Sequence, residues 1–498
     1  MTKKVVKGIL AGLLTAVFGG FGSVASCQDL NPLEMPTVNE DSVMKHIVEL
    51  SSERYAGRLA GSNGYNEALY YAEQVLRTYG ATLDRQVFEI ECNEIENCKF
   101  NTYTPGTKEK TVYTLGNEFC CAGMTGRGYV DAQMVFCGYG IDNELMNEYK
   151  TVDVRGKIAI VLSGLPEGGW IPQDIAARYR LLRDKARTAE KHGAIGMLVI
   201  NTSNSCRSDE PQSRIYCGDM PHLSTFPILH LTLDCGRQLL QGEAMTLDTA
   251  ISRINWLHQA NSFTLLKKAE IDVNASYSPR ALTANLVATL KGSDKRLSKE
   301  YIVIAASLDH AGMQGETCLF PGADINASGV AAVLETARLL SQPEYRPRRS
   351  VLFVLFSGSE QLYLGSRIFV SAFPKLKKIE AFVNLQNIGS GDSILLLGGN
   401  RYPSLWNLAK SHDEREEVSV EHSAALDLRG DARAFDFNGI PSLVITTLNG
   451  LHHNHVSSDI WENIDRRTLV VATQLAAETV RELADGFYQG RSIRTRIR

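Results

Sequence analysis

The chain has 498 residues, of which 44% are hydrophobic and 22% are charged, and its formal net charge at pH 7 is −4. A chain of this length and composition is expected to be globular and to hold more than one domain, which excludes a disordered or fibrous protein. The slightly acidic balance, without any long basic run, argues against a nucleic-acid-binding surface.

The N-terminal segment, residues 1–27, has the pattern of an export signal. Lysines at its start precede the apolar run Gly8–Val24, and small residues then lead to Cys27. This order of charged, apolar and small residues predicts a signal peptide. The tetrapeptide Val-Ala-Ser-Cys resembles a bacterial lipobox, so we expect a lipid on Cys27 to anchor an exported chain in the bacterial cell envelope. Cleavage nearby, giving a soluble secreted protein, is the alternative.

A polar tether at residues 28–37 leads into the first folded part of the chain, residues 38–110. Apolar residues at helical spacing predict amphipathic helices at 39–50 and 65–79. Alternation of apolar and polar residues predicts a strand at 86–91. Two helices followed by a strand form an ordinary entry to a sheet.

Residues 111–275 have a different texture, and we predict that they form a separate β-rich domain inserted into the first one. Apolar, β-rich runs predict its strands, and a helical pattern lies between them. The expected elements are strands at 130–140, 156–162, 193–200 and 226–231 and a helix at 183–192. A linker-like segment, residues 262–280, is expected to return the chain to the first domain.

The third part, residues 276–490, alternates buried strands with helices. The predicted strands are 285–290, 302–307, 351–356, 381–385, 393–397 and 442–446, and the predicted helices are 329–340, 404–410 and 466–487. This alternation predicts an α/β fold, with a mixed, mostly parallel sheet covered by helices on both faces. A short basic tail, residues 491–498, ends the chain.

Polar residues follow two of these buried strands between Ile302 and Ser366. One strand runs into Ser307–Gly312 (SLDHAG), the other runs into Gly358–Gln361 (GSEQ), and PGADINASG lies between them. Open α/β sheets bind their ligands beyond the carboxyl ends of the strands. We therefore expect the functional site in this stretch.

At these motifs the chain resembles the M28 family of zinc aminopeptidases and carboxypeptidases, from about Val38 to Gly486. The segments that carry the resemblance are GRLAGS, Ala284-Asn285, PGADINASG, FSGSEQLYLGS, Gly439-Ile440-Pro441 and His455–Asp459. The insertion is similar to a protease-associated (PA) domain through VFCGYG, DVRGKIAIVL and GAIGMLVI. The resemblance implies an α/β/α sandwich of the zinc-exopeptidase type, formed by residues 38–110 and 276–490, with a PA domain at 111–275.

The resemblance also implies a site for two zinc ions, which such enzymes hold about 3.5–4 Å apart. Several of the family's ligand positions are substituted in this chain. The first histidine ligand is Ser307, the carboxylate that bridges both ions is Ile325, and the later acidic ligand is Gln386. Glu360 and His455 retain the family's ligands. Two protein ligands are too few for tight zinc binding, so no cofactor is expected unless zinc binds at a residual or shifted site.

Other site positions follow from the same resemblance. The family's catalytic base is replaced by Ser359, whereas Asp309 keeps the aspartate that orients the histidine ligand. We expect Asp324, Asp431 and His310 to lie along the substrate cleft. Loss of the base alone removes about 10²–10⁴-fold in rate.

Together the substitutions predict a nicastrin-like pseudoenzyme, which binds peptides or a protein partner in the former active-site cleft. One alternative is an active or atypical zinc aminopeptidase that hydrolyses exogenous peptides, and another is a structural subunit. A shifted single-zinc site formed by His310, Asp324, Glu360 and His455 would suit the first alternative. The favoured interpretation is that Asp324 caps the helix at 327–340 and that His310 is a polar loop residue.

Overall fold

The structure is a computed structural model, and it describes residues 36–202, 210, 213, 221–412, 420–422, 428–450, 455–486 and 488. The predicted signal peptide with its lipidated Cys27, nearly all of the tether and the basic tail lie outside these residues. Within the described residues, no helix is both long enough and apolar enough to cross a membrane.

The described residues contain two sets of regular elements, helices and strands. The helices are α1 Glu40–Leu50, α2 Asn63–Thr78, α3 Gln173–Tyr179, α4 Leu182–Lys191, α5 Leu233–Leu239, α6 Leu247–Leu257, α7 Gly329–Leu340, α8 Leu364–Ala372, α9 Pro403–Lys410, α10 Ala432–Phe437 and α11 Arg466–Asp485. The strands are β1 Thr82–Tyr103, β2 Lys110–Tyr113, β3 Phe119–Cys121, β4 Gly128–Phe136, β5 Ile158–Leu162, β6 Gly196–Ile200, β7 Ile228–Leu231, β8 Phe263–Leu290, β9 Tyr301–Ser307, β10 Met313–Gln314, β11 Cys318–Leu319, β12 Ser350–Phe356, β13 Ile379–Leu385, β14 Ser393–Leu397, β15 Val420–His422 and β16 Ser442–Leu448.

Local sequence explains where the helices begin and which side they bury. Helix α1 begins after Asn39, whose side chain accepts a hydrogen bond from the amide of Ser42 at 2.9 Å. Val43, Ile47 and Leu50 are fully buried, and their spacing places them along one side of the helix. The helix therefore has the apolar face that its sequence predicted, together with a side-chain cap at its start.

One mixed sheet passes through the whole described structure, in the order β15-β14-β16-β13-β9-β12-β8-β4-β5-β6-β7-β3. Strands β12, β9, β13 and β16 are parallel neighbours and form its centre. Helices α1, α2, α7 and α11 pack on one face of this part, and α8 and α10 pack on the other. The predicted α/β/α sandwich is confirmed.

The long strands β1 and β8 differ from the sequence-based expectation. The predicted linker at 262–280 is wrong, because those residues belong to β8, which pairs with β1 from Thr82↔Thr289 to Tyr103↔Lys268. The same strand also pairs with β4 and with β12. Its polar alternating sequence suggested a linker, but three strand partners satisfy its backbone hydrogen bonds.

Each part of the sheet has its own hydrophobic core. The inserted part centres on strands β4, β5 and β6, with buried side chains such as Phe136, Ile160 and Leu198. The larger part centres on α7, of which eleven residues are buried between the sheet and its neighbouring helices. The continuous strand β8 joins the two cores, so the insertion is connected to the larger part by sheet hydrogen bonds as well as by chain.

Candidate functional site

A cleft of about 320 Å³ lies at the carboxyl ends of β9, β12 and β13. Its lining contains six of the predicted site positions, namely Ser307, Asp309, Ile325, Ser359, Glu360 and Gln386, together with His455. The apolar side chains of Leu362 and Tyr363 line the same cleft, as does Arg429. The structure thus brings together seven predicted residues that are spread over about 150 positions of sequence, at the sheet edge where such folds bind ligands.

Arg58 holds the loop that follows β9. Its guanidinium is 1% exposed and donates hydrogen bonds to four backbone carbonyls, those of Leu50, Leu308, Pro321 and Gly322. The backbone carbonyl of Arg58 in turn accepts the amide of His310 at 3.0 Å. One buried side chain therefore fixes the relative positions of two loops beside the cleft.

Ser307 and Asp431 bind each other at the base of the cleft. The hydroxyl of Ser307 donates to Oδ2 of Asp431 at 2.9 Å, and both residues are buried. Burial raises the pKa of Asp431 to about 6. The position that the resemblance implies for the first histidine ligand therefore carries a hydroxyl that already has a carboxylate partner.

The loop around Ile325 is held by Asp459. The two carboxylate oxygens of Asp459 accept the amides of Asp324 and Ile325, at 2.7 and 3.0 Å. Asn326 connects this loop to the end of β13, since its side chain donates to the carbonyl of Leu385 at 3.0 Å. Ile325 lines the cleft at the place of the bridging carboxylate and offers no donor atom to a metal.

Asp324 does not cap helix α7, and that interpretation is wrong. The cap position is Ser328, which makes no side-chain capping bond. The carboxylate of Asp324 instead accepts the amide of Gly389 at 2.7 Å and the hydroxyl of Ser390 at 2.5 Å. Asp324 is 1% exposed and lies behind the cleft wall, where it fixes the loop after β13.

The turn after β12 presents Ser359 and Glu360. Gly358 begins it with φ +75°, a conformation that favours glycine. The amide of Ser359 donates to both oxygens of Asp309, at 3.1 and 2.9 Å. Burial raises the pKa of Asp309 to about 7, and the nearby Glu360 adds to this shift. Asp309 therefore acts on the turn that carries Glu360, which is consistent with a positioning role.

Gln386, at the end of β13, lies tightly against the loop that precedes Asp431. A Cβ atom at Gly430 would lie 1.8 Å from Nε2 of Gln386, and Gly430 has φ +64°. Only glycine fits beside this side chain, on grounds of space and of backbone conformation. The neutral amide of Gln386 occupies the place of the family's acidic ligand.

Three side chains from three loops form a cluster at one end of the cleft. Nε2 of His455 lies 2.6 Å from Oε1 of Glu360. The rings of His310 and His455 are stacked, with their centroids 5.3 Å apart and an angle of 10° between their planes. One possible ligand atom from each of His310, Glu360 and His455 lies within 4.8 Å of the other two. The spacing of these three residues along the sequence did not by itself indicate that their side chains lie close together.

The electrostatic setting of His310 differs from that of the other two. His310 is 1% exposed, and burial, with His455 and Arg58 nearby, holds the pKa of its ring well below the usual range. His310 does lie in the loop after β9, as expected, but it is buried and is not among the residues that line the cleft, so the expectation that it lies along the substrate cleft is wrong. Asp431 is likewise fully buried beneath the cleft floor.

Two features of the cleft were not predicted from the sequence. Arg58 and Asp459 position the loops of the cleft, and Leu362 and Tyr363 form its apolar wall. Arg58 and Asp459 lie in the GRLAGS and HVSSD motifs, which the sequence analysis singled out without assigning these residues a role. A charged residue inside an otherwise apolar or small-residue motif is the signal that could have found them.

The donor atoms of the described residues suit one of the two zinc ions that the M28 resemblance implies, but not both. Two ions do not fit, because Ser307, Ile325 and Gln386 leave one of them without a charged or imidazole ligand. One ion fits the cluster of His310, Glu360 and His455, which offers two nitrogens and a carboxylate. Both ring nitrogens of His310 are buried and bind no other described residue, which is costly for a buried polar group.

Comparison with known proteins gives matches to two family models. Residues 285–480 match the model of peptidase family M28, and residues 112–239 match that of the PA domain. These matches confirm both resemblances that the sequence motifs indicated. The exact domain boundaries predicted from the sequence remain predictions.

Curated relatives match over a short part of the chain. A probable zinc metalloprotease of Pyrenophora tritici-repentis is 32% identical over 111 residues, which are 21% of this chain and 24% of that protein. The alignment thus spans about a quarter of the relative's length.

Solved structures match over nearly the whole chain. An aminopeptidase from Aneurinibacillus sp. strain AM-1 has a TM-score of 0.61 at 22% identity, covering 90% of this chain and 94% of that one. The zinc aminopeptidase BSAP from Bacillus subtilis has a TM-score of 0.63 at 18% identity, covering 92% and 97%. At this level of identity the likeness shows the fold.

Proposed function

We propose that this chain, whose residues 285–480 match the M28 peptidase family, binds peptides in the cleft without hydrolysing them by the family's two-zinc route. The observation that carries the proposal is the composition of the cleft. It keeps the loops and the positioning groups of a peptidase site, yet a serine stands at the base position and one ion's ligand set is replaced. Peptide binding needs the loops and positioning groups that are kept, whereas two-zinc hydrolysis needs the base and the ligands that are replaced.

The cleft walls suit a peptide in chemistry as well as in size. Leu362, which is 46% exposed, and Tyr363, which is 36% exposed, offer apolar contacts for a side chain. Gln386, Asn387 and Thr446 add groups that can hydrogen-bond a peptide backbone. A cleft with apolar walls and a few convergent polar groups is the usual form of a small-ligand site.

Loss of the base supports the absence of two-zinc hydrolysis. In such hydrolysis a carboxylate takes a proton from the attacking water. The hydroxyl of Ser359 remains protonated at neutral pH and cannot take this role. Glu360, the adjacent carboxylate, is already paired with His455 at 2.6 Å.

The PA domain is proposed to form part of the binding surface for a peptide or protein partner. Its residues reach the rim of the cleft, where the amide of Ser213 donates to the carbonyl of His455 at 3.2 Å. Beside it, the hydroxyl of Ser458 donates to Glu210 at 2.8 Å. A partner seated in the cleft would therefore lie next to the inserted domain.

We also propose that the protein is exported and anchored in the bacterial cell envelope by a lipid on Cys27. This rests on the N-terminal sequence pattern alone. Metabolic labelling with a fatty acid tests it. Label is expected in the wild-type chain and not in Cys27→Ala, and equal labelling of both would contradict the anchor.

A second candidate is an atypical metallo-aminopeptidase, which the cluster of His310, Glu360 and His455 favours. A metal ion bound there would supply a Lewis acid for a peptide carbonyl. Glu360 and His455 would hold it at the cleft surface, and His310 would hold it from behind. The lack of a carboxylate base at Ser359 weighs against rapid turnover.

Two assays on the purified protein separate the candidates. Peptide binding is measured by calorimetry with a set of short peptides, and hydrolysis is measured with aminoacyl-p-nitroanilides. Binding without turnover is expected. Chelator-sensitive turnover would replace the first candidate by the second, and neither binding nor turnover would contradict both.

A further inference from the structure

The three-residue cluster at His310, Glu360 and His455 has the composition of a metal site with one open position. The residues come from the loops after β9 and β12 and from the segment that follows β16. Among the described residues, it is the one group of three potential metal ligands whose ligand atoms all lie within 4.8 Å of one another. Two imidazoles and one carboxylate match the ligand number and type of a mononuclear zinc site.

His310 provides an independent indication of a bound ligand. Its ring is 1% exposed, and neither ring nitrogen has a hydrogen-bond partner among the described residues. An imidazole always carries at least one N–H or lone pair that requires a partner when it is buried. The ring cannot easily turn away, because Arg58 and the close approach of Gly322 hold its loop.

The other two residues are hydrogen-bonded to each other, and a bound ion would take the place of this direct contact. Glu360 and His455 lie 2.6 Å apart, and Nδ1 of His455 also has no partner among the described residues. Tetrahedral ligands at about 2.0–2.1 Å from zinc lie roughly 3.4 Å from one another. The ligand atoms of the cluster all lie within 4.8 Å of one another, so at least one side chain would have to move by about 1 Å to hold such an ion.

We propose that His310, Glu360 and His455 bind one divalent cation of the zinc class. This site keeps two of the ligand positions that the M28 resemblance implies, Glu360 and His455, and differs in its third ligand, because His310 occupies none of the implied positions. It replaces the bridging carboxylate lost at Ile325 as the third protein ligand. The open position faces the cleft, since Glu360 and His455 line it and His310 closes its rear side.

Metal binding is tested on the full-length protein by removing metal with a chelator and titrating zinc chloride in a calorimeter. One zinc per chain is expected. In a parallel titration, cobalt chloride is expected to give the visible absorption of a tetrahedral ion with nitrogen ligands. Neither readout requires peptide binding or turnover, so this inference can fail while the proposed function stands.

Variants identify the ligands. Glu360→Gln, His455→Gln and His310→Phe are each expected to weaken zinc binding by at least about tenfold, a size typical of disrupted metal sites. His310→Phe retains a stacked ring beside His455. The matched control is His192→Gln, which alters a histidine bound to a carboxylate, Asp142, at 2.8 Å outside the cleft. It should bind zinc like the wild type.

Each result that contradicts the proposal leads to one conclusion about the metal site. Failure of the folded wild-type chain to bind zinc overturns the site. Unchanged zinc binding by His310→Phe, with Glu360→Gln impaired, overturns the role of His310. Since His310 is buried, far-UV circular dichroism and unfolding temperature are recorded in chelator, and if His310→Phe is unfolded the more exposed Glu360→Gln decides whether the site exists.

Discussion

At the scale of single residues, Ser307, Ile325, Ser359 and Gln386 stand where the M28 resemblance implies metal ligands and a base. Each lies at the cleft, as its position in the motifs implies. Ser307 is the hydrogen-bond partner of Asp431, and Gln386 is packed against Gly430. A larger or charged side chain at either position would require these contacts to give way.

The first prediction concerns restoration of the two-ion site. The quadruple variant Ser307→His, Ile325→Asp, Ser359→Glu and Gln386→Asp is expected to bind one more zinc ion per chain than the wild type, as measured by elemental analysis. The reason is that it returns a full ligand set to the second ion. The triple variant that keeps Ile325 lacks the bridge and should bind less. A folded quadruple variant with the zinc content of the wild type would show that the cleft has diverged further.

A second residue-scale prediction concerns His46, on helix α1. Burial, partly opposed by Glu335, lowers the pKa of its ring to about 4. A depressed folded-state pKa contributes stability above the unfolded value of 6.5, and that stability is lost as the pH falls toward 4. Between pH 7 and 4.5 the loss is about 2 kcal/mol.

His46→Gln tests this dependence, because glutamine can keep the hydrogen bond to Tyr71 but does not titrate. Urea unfolding is measured for both proteins at pH 7 and at pH 4.5. The wild type should lose more unfolding free energy than the variant over this interval. Equal losses would mean that the ring of His46 is protonated in the folded state as readily as in the unfolded chain.

At the scale of elements, the cleft depends on how loops are tied to one another. Arg58 connects the end of α1 to the loops after β9 and before α7. All four hydrogen-bond acceptors of Arg58 are backbone carbonyls. No carboxylate of the described residues accepts a hydrogen bond from its guanidinium. The forked guanidinium can reach four carbonyls at once, which an ammonium group cannot do.

The third prediction follows from this arrangement. Arg58→Lys should lower the free energy of unfolding by about 3 kcal/mol or more, since it leaves several buried carbonyls without a donor. Guanidinium chloride unfolding measures the change. The control is Arg54→Lys, because Arg54 is 62% exposed and its surface ion pairs contribute little. Similar effects of the two substitutions would contradict the role of Arg58.

At the scale of the whole molecule, strand β8 makes the inserted domain part of one sheet. It pairs with β1 along its length, with β4 on the inserted side and with β12 on the other. Gln314 adds a further connection, since its side chain exchanges two hydrogen bonds with the backbone of Cys121, at 2.7 and 2.8 Å. The two hydrophobic cores are therefore connected through the hydrogen-bonded backbone of β8.

The fourth prediction is that the two cores unfold together. Scanning calorimetry of the purified protein should give one endotherm, because melting of either core strips strand partners from β8. As a control, Gln314→Ala removes a side-chain connection while leaving β8 intact, and it should lower the transition temperature without splitting it. Two resolved transitions in the wild type would show that β8 does not couple the cores.

The sequence was sufficient for the fold class and for the composition of the cleft. In residues 276–490, short apolar runs alternate with segments whose apolar residues have helical spacing. This alternation predicts the α/β sandwich, because each short apolar run is a buried strand. The resemblance to the M28 family, rather than motif spacing, singled out Ser359, Glu360 and His455. The sequence was insufficient at β8, where polar alternation hid a strand whose backbone partners lie far away in the chain.

What the sequence by itself determined, then, is which residues stand where the M28 resemblance implies ligands, namely Ser307, Ile325 and Gln386. What only the tertiary structure decided is the meeting of His310 with Glu360 and His455. Along a strand, a residue next to Asp309 would face the opposite way. His310 lies beyond the strand, and the backbone of Arg58, 252 positions earlier, turns its loop toward the other two. That long-range contact exists only once the sheet and its first helices have assembled.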